Sequence, residues 1–152
     1  MNVPDRASRR VSYGEPLPPP GEAVATSPLD FEDTLQRLKE AITARDLWLI
    51  HEIDPQALLS RDGYEVAPAR QLLFFHPRYA ARLLAANPAA LIEIPLKIAV
   101  LQMPDGCVLV RHVDVEAMLS RYAGLAPLAS ELAILLREVV DALRAPTPKR
   151  MG

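Results

Sequence analysis

The sequence has little of what catalytic and metal-binding motifs are usually built from. It holds one cysteine and six glycines among 152 residues, and the glycines stand singly. Phosphate-binding loops, dinucleotide fingerprints and Gly-x-Ser-x-Gly elbows need glycines at close, fixed spacings, so the sequence contains none of these motifs. One cysteine also excludes an intramolecular disulfide framework. Because Cys107 lies in an apolar run, we expect a buried, inert thiol, with a reactive thiol as the alternative.

Neither sign of charge is in excess. Lysine and arginine number 17 against 19 acidic residues, which gives a net charge of −2 and argues against a nucleic-acid partner. Arg6, Arg9 and Arg10 are followed by no apolar run, so they do not begin a secretory signal. Apolar runs also stay well short of the roughly 18 residues that a membrane helix needs. We therefore expect a cytoplasmic protein without membrane contact.

The remaining composition predicts one domain with tails. Half of the residues are hydrophobic, which is enough for a real core at this length. Prolines gather in residues 1–21, which we predict to be a disordered leader, or alternatively an arm that docks on a partner. Residues 22–124 are the predicted α+β domain. Residues 125–144 are a C-terminal helix packed on or extending that domain, and residues 145–152 are a tail.

The first half of the domain carries signals for a strand, a helix and a second strand. A short strand is expected from Glu22 to Thr26, then a helix to about Ala44 that Ser27 would cap with Pro28 just inside it. Residues 47–53 predict the next strand. Its alternation places four residues on one face: Leu47, Leu49, His51 and Ile53.

The middle of the chain gives the clearest pattern. Residues 72–75 are a short apolar run typical of a buried strand, and Pro77 suits the first position of the helix that follows. Asn87-Pro88 ends this helix. A strand follows Pro95, and Asp105-Gly106 predicts a tight hairpin to the next strand.

These elements predict an α+β fold. The hairpin requires at least one antiparallel strand pair, and two further helices are expected after Asp114 and Pro127. We expect an antiparallel or mixed sheet with the helices packed on one face. The strand over residues 96–103 is apolar on both alternations. Such a strand needs cover on both sides, so we expect a homodimer to cover the second face.

The central motifs resemble a known family. They are Phe-His-Pro-Arg-Tyr-Ala from residue 75, Asn-Pro at 87, Ile-Pro-Leu-Lys-Ile-Ala-Val from 94 and Pro-Asp-Gly-Cys-Val-Leu-Val from 104. Their order closely resembles domain-of-unknown-function family 302, over residues 22–124. The resemblance implies a TATA-box-binding-protein-like fold, usually homodimeric, and it carries no implication of DNA binding. It supplies no catalytic residues.

His76 is the best candidate for binding chemistry. It lies at a strand end just before the helix start at Pro77, where free N–H groups favour an anion. The alternative, which we favour, is a histidine that caps the helix. Arg78, Glu93 and Lys97 could line a ligand pocket with it, although ordinary surface or dimer-rim ion pairs are the favoured interpretation.

Two further hypotheses use the same histidine. His51, His76 and His112 could hold haem or a divalent metal, but no spacing of ligands supports this. A Glu93–His76 acid–base pair would make a small enzyme only if the two side chains lie within hydrogen-bond reach. The leading hypothesis is a homodimeric, non-enzymatic module without a cofactor, which binds an unknown small ligand or protein partner.

Overall fold

The computed structural model of the protein describes residues 9–146. The strands are β1 Arg9–Arg10, β2 Ala25–Ser27, β3 Trp48–Ile53, β4 Tyr64–Glu65, β5 Ala69–Phe75, β6 Leu96–Gln102 and β7 Val108–His112. The helices are α1 Phe31–Ala44, α2 Pro55–Arg61, α3 Pro77–Ala86, α4 Val115–Ser120 and α5 Ala126–Asp141. Two 3-10 helices, Pro88–Glu93 and Ala142–Arg144, follow α3 and α5.

Five strands form the main sheet, in the order β2-β7-β6-β5-β3. Every neighbouring pair in this sheet is antiparallel. The short strands β1 and β4 form a separate parallel pair. The architecture confirms the predicted α+β class, and the antiparallel alternative is the correct one for the main sheet.

One face of the sheet is buried under helices. The central strands turn Leu72, Phe74, Ile98, Val100 and Val110 to this face, and each is at most 1% exposed. Side chains of α1, α3, α4 and α5 complete the same core cluster. Residues of α2 are all half-buried or exposed. The prediction that helices pack on one face is confirmed.

The Asp105-Gly106 hairpin joins β6 to β7 as predicted. Gly106 adopts a φ of 89°, which favours glycine, and its N–H donates to the Met103 carbonyl at 2.9 Å. Asp105 Oδ1 accepts the Cys107 N–H at 2.9 Å. Because these hydrogen bonds lie within the turn itself, the turn was predictable from the sequence.

Two local predictions in the first half are wrong. The N-cap of α1 is Asp30, whose carboxylate accepts the Asp33 N–H, and not Ser27. Ser27 ends β2 instead, where its buried hydroxyl bonds Thr34 at 2.7 Å. In β3, a bulge between Leu49 and His51 breaks the alternation, so these two residues do not share a face.

Cys107 is exposed, which corrects the expectation of a buried thiol. It lies in the turn, one residue before β7 begins. Its pKa is raised, first by a hydrogen bond to the Asp105 carboxylate and also by the charge of that group. A raised pKa lowers the thiolate fraction at neutral pH, so exposure does not make this thiol strongly nucleophilic.

The predicted leader is described only in part. Residues 1–8 and 147–152 lie outside the described residues, so the prediction of disorder there stays a prediction. Arg9–Arg10 pairs with β4, and the Tyr13 hydroxyl donates to the Gln102 carbonyl at 2.5 Å. The described part of the leader thus contacts the domain near the end of β6.

The packing of α5 predicts that it is part of the folding unit. Leu132 on α5 is fully buried, whereas Ile134 on the same helix is 53% exposed. Replacing Leu132 with Ala should lower the free energy of unfolding by about 2–5 kcal/mol, because the core would be left with a cavity. Ile134→Ala should change it by less than about 0.5 kcal/mol. Urea unfolding measures both changes. Equally small losses of unfolding free energy would mean that α5 does not belong to the cooperative folding unit.

Candidate functional site

His76 caps helix α3. Its Nδ1 accepts the Arg78 N–H at 3.1 Å, and Pro77 occupies the first turn. Its ring lies edge-on to Trp48, with 5.1 Å between ring centroids. An accepting Nδ1 carries no proton, so the neutral ring holds its proton on Nε2. This is the capping role that we favoured from the sequence.

The other three candidate ligand residues are engaged separately. Arg78 forms an ion pair with Asp46 at 2.6 Å. Glu93 Oε1 accepts from Arg121 at 3.0 Å and from the Tyr122 hydroxyl at 2.8 Å. These bonds hold Glu93 against the segment after α4. Among the described residues, no hydrogen bond joins Glu93 to His76, so the proposed acid–base pair is not assembled.

Lys97 lies on the side of the sheet away from the helix-covered face, which we call the outer face. It is exposed there, opposite Leu73 on β5. Within the part of the chain that the structure describes, its ammonium forms no ion pair. Lys97 therefore does not share a pocket with Arg78 and Glu93.

The three histidines do not converge. His51 pairs with Leu73 on the outer face, whereas His112 pairs with Ile98, on the helix side. Three strand spacings separate β3 from β7, which is about 14 Å. Within residues 9–146, no group of three or more histidine, cysteine, aspartate or glutamate side chains is placed to hold a metal ion.

A cleft of about 320 Å³ opens where β7 ends. Its walls come from Gly21–Ala23, from His112 and Asp114–Glu116, and from Ala133, Leu136 and Arg137 on α5. Pockets of this size accommodate small ligands. Apart from His112, the sequence had not singled out these residues as a site. The density of titratable residues from His112 to Glu116 was the only local signal.

Glu22 is the most constrained charge in this cleft. Its Oε1 accepts the Asp114 N–H at 3.2 Å, and its Oε2 pairs with Arg111 at 2.6 Å. The backbone bond from Asp114, and then the bond from Arg111, hold the pKa of the Glu22 carboxyl below its ordinary range. Glu22 is therefore a fixed anion at neutral pH that ties the segment before β2 to the end of β7.

The outer face of the sheet is mixed in character. Leu73, Leu101 and Leu109, on adjacent strands, are half-buried there, and Trp48 at the β3 edge is 54% exposed. Arg111 also lies on this face, opposite Ala99. The face therefore combines apolar side chains with a small number of polar and charged ones.

Comparison with known proteins gives a family and a fold. The model of the family described as "Domain of unknown function DUF302" matches residues 23–143. The crystal structure of an uncharacterised conserved DUF302 protein from Bacillus stearothermophilus superposes with a TM-score of 0.74 at 19% identity, covering 81% of this chain and 98% of that chain. No curated protein matches.

The family match extends over α5, beyond the residues 22–124 on which the resemblance was based. None of the helices within residues 9–146 has the length and apolar character needed to cross a membrane.

The capping role of His76 can be separated from its ring contact. His76→Asn keeps an acceptor for the Arg78 N–H, whereas His76→Ala removes it, and both lose the ring against Trp48. The Asn variant should therefore be more stable than the Ala variant by about 1 kcal/mol. Urea unfolding at neutral pH measures the difference. Equal stabilities would show that the cap contributes nothing.

The lowered pKa of Glu22 predicts a pH-dependent contribution to stability. A carboxyl with a depressed folded pKa stabilises the protein above its unfolded pKa, and this contribution is lost as the pH falls through the folded value. Wild type should be more stable than Glu22→Gln at pH 7, and the gap should close towards pH 3. Denaturant unfolding of both proteins at the two pH values checks this. A gap independent of pH would contradict the assignment.

Proposed function

The chain belongs to the DUF302 family, and from this premise we propose that it is a non-enzymatic binding module that acts as a homodimer. The absence of catalytic sequence motifs and the separate engagement of His76 and Glu93 favour binding over catalysis. The observation that supports the homodimer is the set of partly exposed apolar side chains on the outer face of the sheet.

The outer face has the composition of a contact surface. Leu101 and Leu109 are cross-strand partners on β6 and β7. Leu73 projects outward from β5 opposite Lys97, about 13 Å further along the strands, so outward leucines lie at both ends of the face. Trp48 adds a large aromatic side chain at the edge. An exposed tryptophan is typical of the residues that contribute most to association.

The size of the face suits a weak, reversible interface. Five strands about 4.8 Å apart are separated by four spacings and span about 19 Å, and outward rows extend about 20 Å along them. Each copy would thus contribute about 400 Å² of projected area. Two such faces bury about 800 Å² in total, which is the size of a small, transient contact.

The charge on the face suits a second copy of the chain. Arg111 is neutralised by Glu22, so among residues 9–146 Lys97 is the main charge on this face without an ion-pair partner. A twofold contact places the same patch on itself, which an apolar surface of low charge tolerates. A strongly anionic partner such as nucleic acid would need many more cations.

Leu73→Glu should break the homodimer without unfolding the chain. In a single copy the new carboxylate would lie directly opposite Lys97, and such a cross-strand pair offsets the loss of the leucine. In the dimer the carboxylate would be buried, which should weaken association about a hundredfold. Sedimentation velocity at micromolar concentration should give twice the chain mass of 16.8 kDa for wild type and the monomer mass for the variant.

Ile134→Glu is the matched control, because Ile134 is an exposed aliphatic residue on α5, away from the outer face. It should remain dimeric. A monomeric wild type, or equal effects of the two substitutions, would rule out the outer face as the dimer interface.

A further inference from the structure

We propose that the cleft at the end of β7 binds a small zwitterion, an α-amino acid with an aliphatic side chain. The proposal names a ligand for the binding module proposed above. It uses none of the outer-face residues, so it does not depend on the homodimer.

The cleft has an apolar floor and a polar rim. Val115 and Leu136 form the base of the cleft, where each exposes at most 2% of its surface. Ala133 lies beside Leu136 on the same side of α5 and is half-buried, so it exposes more apolar surface. This floor suits an aliphatic side chain of a few carbons. At about 320 Å³ the cleft is at the small end of ligand pockets, which favours a metabolite the size of an amino acid over a nucleotide.

The acidic side chains of the rim are only partly engaged. Both oxygens of Glu22 have protein partners. Asp114 uses Oδ1 to cap the Ala117 N–H at 3.0 Å, and Glu116 uses Oε1 to accept from Ser130 at 3.3 Å. Asp114 Oδ2 and Glu116 Oε2 are therefore left to accept from a ligand ammonium.

Arg137 supplies the opposite charge. It lines the cleft from α5, and within the described residues its guanidinium forms no ion pair or hydrogen bond. A guanidinium with all its donors available is suited to bind a carboxylate through two parallel bonds.

His112 has one ring nitrogen left for a ligand. Its Nδ1 lies 2.8 Å from the Val113 carbonyl oxygen. A carbonyl oxygen can only accept, so Nδ1 carries the proton. In the neutral ring Nε2 is then an acceptor, which suits an ammonium donor.

The charges in the cleft disfavour a ligand that carries only a positive or only a negative charge. A plain carboxylate would meet Arg137 but also the three anions Glu22, Asp114 and Glu116. A plain amine would meet these anions but also Arg137. A ligand that carries both charges, as an α-amino acid does, satisfies both sides.

Calorimetric titration of the full chain with three probes that share an isobutyl group tests the proposal. The probes are L-leucine, 4-methylpentanoate, which lacks the ammonium, and isoamylamine, which lacks the carboxylate. Leucine should bind at least about tenfold more tightly than either, since each charged hydrogen-bonded contact is worth about that factor or more. Saturable binding of isoamylamine as tight as that of leucine would overturn the zwitterion. So would the absence of saturable leucine binding at millimolar concentration.

Substitutions locate the site. Arg137→Gln should weaken the binding of leucine about tenfold and leave the binding of isoamylamine unchanged. Glu116→Gln should weaken the binding of both ligands. Arg61→Gln, at an exposed arginine of α2 outside the cleft, is the matched control and should bind as wild type does. Leucine affinity unaffected by Arg137→Gln would overturn the assignment. The monomeric Leu73→Glu variant should bind leucine normally, which separates failure of the cleft from failure of the dimer.

Discussion

The alternation of side chains across β5, β6 and β7 is the constraint on which the rest of the molecule depends. Leu72, Ile98 and Val110 face the helices and are almost fully buried. A slip of one residue in pairing would exchange every side chain between the two faces. It would bring Lys97 and Arg111 into the core, and the free energy needed to bury these charges would exceed the stability of a typical domain. The buried face therefore fixes the register, and the register fixes what the outer face presents.

Most of the fold was predictable from sequence signals that depend on neighbouring residues. The Asp105-Gly106 hairpin and the start of α3 at Pro77 were predictable because the bonds that make them lie within two or three residues. The cap of α1 was not, because Ser27 and Asp30 are equivalent by local rules. A tertiary bond decides between them: the Ser27 hydroxyl is buried against Thr34, which leaves Asp30 to begin the helix. The bulge in β3 likewise has no local signal, since it depends on pairing with β5.

The candidate site was predictable to the same extent. The capping role of His76 is local, and the sequence favoured it. The partners of Glu93 lie 28 and 29 residues away in the chain, so the sequence could not show them. The cleft is still harder to foresee, because its walls combine Gly21–Ala23 with α5, more than 100 residues later. No periodicity or spacing rule connects segments that meet only through the fold.

The outer face and the cleft are physically joined by one ion pair. Arg111 belongs to the outer face, opposite Ala99, while its partner Glu22 forms a wall of the cleft. The pair thus reaches around the sheet from one surface to the other. A change that displaces Glu22 alters the cleft wall and also leaves the Arg111 guanidinium without this partner on the outer face. Because the pair forms within a single copy of the chain, a second copy is not needed to hold Glu22 in the position that shapes the cleft.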